Sequence, residues 1–108
     1  EKAKVKEGEM ILKKIGPTDY VVLLDEKGKE FTSLQWAAQI EGLFNQSLKN
    51  LVYIVGGAYG FSDELYNRAN AKLSLSKMTF SHQIIRVIFM EQLYRAFTII
   101  KGEPYHHA

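Results

Sequence analysis

Three short strand patterns, each followed by a helical pattern, constrain the fold of this 108-residue chain more than any other feature. Tyr20–Asp25 and Leu51–Val55 are continuous apolar runs, whereas Lys72–Leu75 alternates. A continuous apolar run is typical of a strand buried on both faces of a parallel sheet. Strands that alternate with helices need crossover connections, which favour the same arrangement. The sequence therefore predicts an α/β fold, a mostly parallel sheet with helices on both faces.

Helical periodicity and capping residues place the connecting helices. Thr32 and Gln35 have the spacing of a capping box, and Ser62 precedes acidic residues suited to the positive end of a helix. Gly102 is expected to end the last helix, and Pro104 prevents its resumption. The predicted helices cover residues 2–15, 32–45, 62–70 and 81–101, and a turn is expected at 26–29.

The composition predicts one globular domain over residues 1–108, with 46% hydrophobic and 24% charged residues. The chain contains no cysteine, which excludes a disulfide framework and thiol catalysis and is compatible with a reducing cytoplasm. No apolar run approaches the length of a membrane span, and no signal peptide pattern precedes the first helix. The start at Glu1, within a helical pattern, predicts a truncated or processed product.

The charge is unevenly distributed along the chain. Residues 1–64 hold 8 basic and 10 acidic side chains, whereas residues 65–108 hold 6 basic and 2 acidic ones. A basic C-terminal half is compatible with a polyanionic partner such as nucleic acid, and equally with an ordinary solvated surface. The charge alone does not separate these alternatives.

A glycine-rich segment follows the second apolar run. Gly56, Gly57 and Gly60 would let the backbone approach a ligand closely, or would simply form a tight turn between strand and helix. Their spacing is not that of the GxGxxG fingerprint, and no Walker lysine follows. An enzyme that uses a nicotinamide or a nucleoside triphosphate is therefore disfavoured.

The segment after the third strand pattern has two interpretations. Ser76, Lys77 and Thr79 are candidates for ligand contacts, but hydroxyl residues are also common in turns and helix caps. Met78 and Phe80 would ordinarily be core residues, yet apolar groups beside small donors suit an adenine ring and a thioether.

The last helix and the tail carry the other candidates. His82 would cap or pack the helix, and Arg86 would pair with a phosphate or a carboxylate. Glu91 and Arg95 have the i,i+4 spacing of an intrahelical ion pair. Tyr105, His106 and His107 offer stacking, phosphate contact and proton transfer, although short polar tails are usually frayed. No ligand cluster accompanies these histidines, so no metal is expected.

Several of these motifs occur together, and in the same order, in one known family. The segments that carry the likeness are 55–61, 73–80, 82–86, 91–97 and 102–106. Across essentially the whole chain the sequence resembles the RlmH-type SPOUT methyltransferases. These enzymes use S-adenosylmethionine (SAM) to methylate N3 of a pseudouridine in helix 69 of bacterial 23S ribosomal RNA, in the assembled ribosome.

The resemblance implies a fold, an assembly and a set of site residues. Family members are homodimers with a trefoil knot at the C-terminal end of the domain, and they are longer at the amino end. The positions implied to contact SAM are Leu24, Gly56, Leu75, Ser76, Lys77, Met78, Thr79 and Phe80. Substrate contacts are implied for His82, Arg86 and His107, and catalytic roles for Arg86, Tyr105 and His106, with His106 handling the proton.

Two other functions are compatible with the residues. One is an RNA-binding or ribosome-binding module that has the same fold but little catalytic activity. The other is a small α/β nucleotide-binding domain of unrelated function. Binding of the methyl donor separates the last from the first two, and methyl transfer to ribosomes separates those two from each other.

Overall fold

The computed structural model describes residues 2–46, 48, 50–56 and 60–107, so Gly57 of the glycine-rich segment lies outside the described residues. The described chain forms four helices and three strands. In chain order these are α1 (Lys2–Leu12), β1 (Tyr20–Glu30), α2 (Ser33–Phe44), β2 (Leu51–Val55), α3 (Asp63–Arg68), β3 (Ala71–Ser74) and α4 (His82–Ile100).

The strands form one parallel sheet in the order β2-β1-β3. Tyr20–Leu24 pairs with Leu51–Val55 on one side and, through Val22–Leu24, with Ala71–Leu73 on the other. The central position of β1 places its carboxyl end between those of β2 and β3. The predicted parallel sheet is confirmed, and its order brings three strand ends to one edge.

The buried run in β1 supplies the core on both faces of the sheet. Val22 and Leu24 pack with Trp36 and Ile40 of α2 and with residues of α4. Val21 and Leu23, both fully buried, point the other way and pack with α3 and α1. Side chains alternate between faces along a strand, so a strand covered twice must be apolar at every position. The predicted placement of helices on both faces is confirmed.

The predicted turn at residues 26–29 is wrong, because β1 continues to Glu30 through an irregularity in its pairing with β3. Leu24 and Lys29 both pair with Leu73, so the residues between them form a bulge. Gly28 makes this possible. A Cβ at Gly28 would lie 2.7 Å from the backbone nitrogen of Leu73, so only glycine lets the two backbones come this close.

Capping residues lie near the predicted starts and ends of the helices. Thr32 and Gln35 form the expected capping box, with Gln35 N–H donating to Thr32 Oγ1 at 3.1 Å. Ser62 caps α3, and Ser81, placed inside the last helix by the sequence, is the N-cap of α4. Gly102 follows α4 with φ of +73°, the left-handed conformation expected after a helix. The first helix is shorter than predicted and ends at Leu12.

Candidate functional site

A pocket of about 630 Å³ opens where the three strands end. Its walls come from Leu24 of β1, from Val55 and Gly56 at the end of β2, and from the segment 75–80 that follows β3. His82 and Ile85 of α4 complete the lining. Ligands bind at the carboxyl edge of parallel α/β sheets, and this volume suits a ligand of nucleoside size.

The structure brings almost all of the predicted SAM contacts to this one pocket. The lining includes Leu24, Gly56, Leu75, Ser76, Met78, Thr79 and Phe80. Lys77 is the exception. Its Nζ donates to the carbonyl oxygens of Glu26 at 3.0 Å and Gly28 at 3.3 Å, which ties the segment to the β1 bulge.

The hydroxyl groups of this segment shape the loop itself. Ser74 Oγ donates to the carbonyl of Ser76 at 3.0 Å, and Ser76 Oγ accepts from the N–H of Met78 at 3.0 Å. Thr79 Oγ1 donates to Glu26 Oε2 at 3.1 Å. These bonds confirm the interpretation as turn residues, and Ser76 and Thr79 also line the pocket.

Met78 and Phe80 are not core residues. Met78 is 72% exposed and Phe80 39% exposed, although both line the pocket. The expectation that such side chains would ordinarily be buried is wrong here. Their exposed surfaces instead place apolar groups at the pocket, where a flat aromatic ring could be covered.

The glycines of the β2–α3 connection also have structural roles. Gly56 packs against the ring of Phe61, where an added Cβ would lie 3.0 Å from the ring. Gly60 has φ of +80°, which side chains other than glycine rarely adopt. Gly56 is thus close to both the pocket and a buried ring, so a side chain here would disturb the pocket wall.

Two carboxylates in the pocket wall were missed by the sequence interpretation. Asp25 and Glu26 lie directly after the buried part of β1 and line the pocket. The Tyr66 hydroxyl donates to Asp25 Oδ2, and the N–H of Lys27 donates to Asp25 Oδ1 at 2.9 Å. The position of Asp25 at the end of a buried strand was the signal that could have identified it.

The charge state of Asp25 follows from these contacts. Burial opposes its ionisation, but the hydrogen bonds from Tyr66 and Lys27 and the charge of Lys72 outweigh burial and lower the pKa of Asp25. Burial and the bond to Asp25 raise the pKa of Tyr66 to about 12. In the Asp25–Tyr66 pair, Asp25 therefore carries a negative charge at the pocket wall, which suits a cationic ligand.

The two predicted substrate residues at the start of α4 occupy different positions. His82 is partly buried and lines the pocket. Arg86 lies one turn further along, is exposed, and has no ion-pair partner among the described residues. As far as the described residues show, the Arg86 guanidinium is therefore available to a phosphate, one helical turn from His82 of the pocket lining.

The tail folds back on α4 instead of fraying. Arg95 donates from Nη2 to Glu91 Oε2 at 2.7 Å, which confirms the expected ion pair. The Tyr105 hydroxyl donates to the same Glu91 oxygen at 2.9 Å, and Arg95 lies 4.9 Å from the centre of the Tyr105 ring. Arg95 Nη1 also contacts His106 Nδ1 at 3.0 Å. We call Glu91, Arg95, Tyr105 and His106 the tail cluster.

The contacts within the tail cluster shift the pKa values of Glu91 and Tyr105. The hydrogen bond from Arg95, opposed by partial burial and aided by Tyr105, lowers the pKa of Glu91. The hydrogen bond to Glu91 raises the pKa of Tyr105, so its hydroxyl is a donor and not a base. His107 is exposed beyond the cluster.

The tail cluster is separate from the pocket of the same chain. None of Tyr105, His106 and His107 lines the pocket. From His82 to Glu91 the helix rises about 14 Å, at 1.5 Å per residue. Of the predicted catalytic residues, Tyr105 and His106 therefore lie apart from the predicted SAM contacts, whereas Arg86 lies one helical turn from His82 of the pocket lining.

An exposed apolar stripe runs along α4 between these groups. Its members share one face of the helix and are 52–67% exposed: Ile84, Val87, Met90 and Tyr94. Tyr94 also makes an edge-on contact with Tyr105 of the tail cluster. Large contiguous apolar surfaces of this kind mark interaction sites.

The described part of the chain has neither a membrane span nor a metal-binding cluster. None of its helices is long and apolar enough to cross a membrane. Nor do three or more His, Asp or Glu side chains there come together as a group able to hold a metal ion.

A parallel sheet with a pocket at its carboxyl edge defines a ligand-binding α/β domain. A family model described as "Predicted SPOUT methyltransferase" matches residues 1–106. The chain therefore belongs to the SPOUT methyltransferase family, as its motifs predicted.

Similar curated proteins carry one name, Ribosomal RNA large subunit methyltransferase H. The protein from Parabacteroides distasonis is 62% identical over 104 residues, and that from Christiangramia forsetii 59% identical over 104 residues. Each match covers 96% of this chain and 66% of the relative. The Bacteroides thetaiotaomicron protein is 56% identical over 107 residues, covering 99% of this chain and 68% of the relative. The chain thus spans about 66% of the length of the first two relatives.

Proposed function

We propose that this protein is a SAM-dependent methyltransferase acting on N3 of a pseudouridine in helix 69 of 23S ribosomal RNA. One observation carries the proposal. Seven of the eight predicted SAM contacts, all except Lys77, line a single pocket at the carboxyl edge of the sheet, although they are separated by up to 56 positions from Leu24 to Phe80. The relatives named as ribosomal RNA methyltransferases support the choice of substrate.

The residues of the pocket fit SAM in shape and charge. Leu24, Leu75 and Phe80 offer apolar surface for the adenine ring, and the pocket volume of about 630 Å³ accommodates a nucleoside with its amino-acid tail. Asp25 and Glu26 supply negative charge for the sulfonium and ammonium groups. When bound, SAM would supply an electrophilic methyl carbon, with the sulfur as the leaving group.

The chain's own contribution is positioning. Methyl transfer is an in-line displacement, so holding donor and acceptor in alignment accounts for much of the acceleration. The loop 76–80 is already ordered by the hydroxyl bonds of Ser74, Ser76 and Thr79, and by Lys77 on the β1 bulge. A preformed loop needs no ordering when SAM binds, which favours affinity.

The reacting base must approach the pocket, which His82 lines, and Arg86 lies one helical turn further along α4. We assign Arg86 to a phosphate or to the base, because its exposed guanidinium has no ion-pair partner among the residues described. His82, which is half-buried, lines the pocket one helical turn before Arg86. His107, exposed at the end of the tail, would add a further RNA contact.

Because the tail and the pocket of one chain lie apart, we infer an active site shared between two copies of the chain. Tyr105 and His106 do not reach the pocket of their own chain. A symmetric homodimer through the apolar stripe of α4 would bring the tail of one copy towards the pocket of the other. The stripe lies between the two groups and leaves Val87 67% exposed, so dimer formation would bury it.

Three further properties belong to the same proposal. The C-terminal half is the region in which the family's trefoil knot would form. The small surface of one chain suits an assembled ribosome as the substrate, since ribosomal surfaces would help to select one base. A ribosomal substrate places the protein in the cytoplasm.

Transfer of a labelled methyl group from SAM to ribosomes lacking the modification tests the proposal. The expected result is incorporation into the large-subunit RNA that is lost in an Arg86→Ala variant with unchanged SAM affinity. SAM binding without methyl transfer would instead favour a ribosome-binding module of low activity. No SAM binding at millimolar concentration would refute the proposal and favour an unrelated nucleotide-binding domain.

A further inference from the structure

The contact between Arg95 and His106 determines where the imidazole carries its proton. Arg95 Nη1 lies 3.0 Å from His106 Nδ1. A guanidinium has only N–H donors and stays protonated in proteins, so it cannot accept a hydrogen bond. Nδ1 must therefore accept with its lone pair, and the proton of the neutral ring must lie on Nε2.

Arg95 is held so that this contact persists. Two of its nitrogens donate to the Glu91 carboxylate, Nη2 to Oε2 at 2.7 Å and Nε to Oε1 at 3.5 Å. Glu91 also accepts from the Tyr105 hydroxyl at 2.9 Å, and the Tyr105 ring lies beside the guanidinium. Rotation of Arg95 away from His106 would break several contacts together, so the cluster acts as one unit.

We propose that Arg95 is a positioning residue that fixes His106 as the Nε2–H tautomer, so that His106 donates a hydrogen bond to the reacting base. This inference rests on the proposed function. It narrows the expected proton-handling role of His106 to hydrogen-bond donation, because the nitrogen available for substrate already carries hydrogen and the other faces a cation.

The chemistry balances with water as the proton acceptor. The N3–H proton leaves to water, the N3–methyl bond forms, and the sulfur–methyl bond breaks with its electron pair remaining on sulfur. Loss of the proton leaves negative charge on N3 and on the two carbonyl oxygens beside it. An N–H group aimed at such an oxygen stabilises the anion, as donors in an oxyanion hole do.

Nitrogen NMR of the histidine-labelled protein tests the tautomer without any assay of activity. At a pH where the ring is neutral, His106 is expected to show a bare Nδ1 and a protonated Nε2. The Nδ1 resonance should move in Arg95→Met, because that nitrogen loses its hydrogen bond. Lys101→Met, which removes another cation near the end of α4, is the matched control and should leave it unchanged. Hydrogen on Nδ1, or no response to Arg95→Met, would overturn the inference.

Two substitutions of His106 test the donor role during methyl transfer to ribosomes. Glutamine places an amide N–H near the position of Nε2 but cannot act as a base, whereas alanine provides neither group. His106→Ala should lose about 10²–10³-fold in kcat, the cost of one oxyanion donor. His106→Gln should recover at least tenfold of that loss. Equal loss in both variants would overturn the donor role.

The NMR experiment and the methyl-transfer assay distinguish failure of this inference from failure of the proposed function. A wild-type protein that methylates no ribosomes refutes the proposed function, while the NMR result still decides the tautomer. Fluorescence of Trp36, the one tryptophan of the chain, reports whether each variant is folded. It lies in the core beneath α4, at 3% exposure, and away from the tail cluster.

Discussion

Replacing Gly28 with alanine should destabilise the protein, because the site has no room for a Cβ. The added carbon would lie 2.7 Å from both Leu73 N and Lys72 C, and 2.9 Å from Leu73 C. These are backbone atoms, so no side-chain rotation can relieve the contact and β1 must move away from β3. Forcing extra carbon into a packed site costs about 1–3 kcal/mol.

Gly42→Ala is the matched control. Gly42 lies in α2, and a Cβ there meets nothing within 4 Å. Alanine should therefore stabilise the helix by about 0.5–1 kcal/mol relative to glycine. The two substitutions add the same methyl group, yet their free energies of unfolding should differ by about 1.5–4 kcal/mol in total.

Thermal unfolding followed by circular dichroism measures the difference. At about 4 °C per kcal/mol for a domain of this size, the Tm values of the two variants should differ by about 6–16 °C. Gly28→Ala should also weaken SAM binding, because Leu73 lines the pocket and the Gly28 carbonyl accepts from Lys77. Equal Tm values for the two variants would refute the account of the β1 bulge.

Three further predictions concern the charge pairs and the apolar stripe. Arg95 lowers the pKa of Glu91, so the contact between Tyr105 and Glu91 should persist above the ordinary value of 4.5 and be lost as pH falls through the lower folded value. Ring signals of Tyr105 that show loss of this contact above pH 4.5 would contradict this. Tyr66→Phe removes a donor to Asp25, so the pKa of Asp25 should rise, and carboxyl ¹³C titration measures it. A pKa that stays the same would show that the hydroxyl has no such role. Val87→Glu should yield monomers by light scattering. The Tm should change little, because the side chain is 67% exposed. Dimers as stable as those of the wild type would exclude the stripe as the dimer interface.

The fold followed closely from local sequence features. Val21–Leu24 is apolar at every position because both faces of β1 are covered, and that pattern alone predicted a strand buried on both faces of a parallel sheet. Thr32 and Gln35 predicted the start of α2 because a capping box uses only neighbouring residues. The bulge at Gly28 was not predictable in this way, since it depends on the approach of β3 from much later in the chain.

The candidate site was predictable only in part. The motif after β3 identified most of the pocket lining, because its residues are adjacent in sequence. The Asp25–Tyr66 pair joins residues 41 positions apart, and Arg95 meets His106 only because the tail turns back after Gly102. Contacts of this kind depend on the three-dimensional path of the chain, and no local pattern encodes them.

A SAM titration followed by the backbone amide signals of the protein tests the central claim most directly. Saturable binding should shift the amides of Leu24, Gly56 and the loop 76–80 together, with one common affinity, because these groups share one pocket. Absence of binding at millimolar SAM, or shifts confined to other parts of the chain, would contradict a methyl-donor site at the carboxyl edge of this sheet.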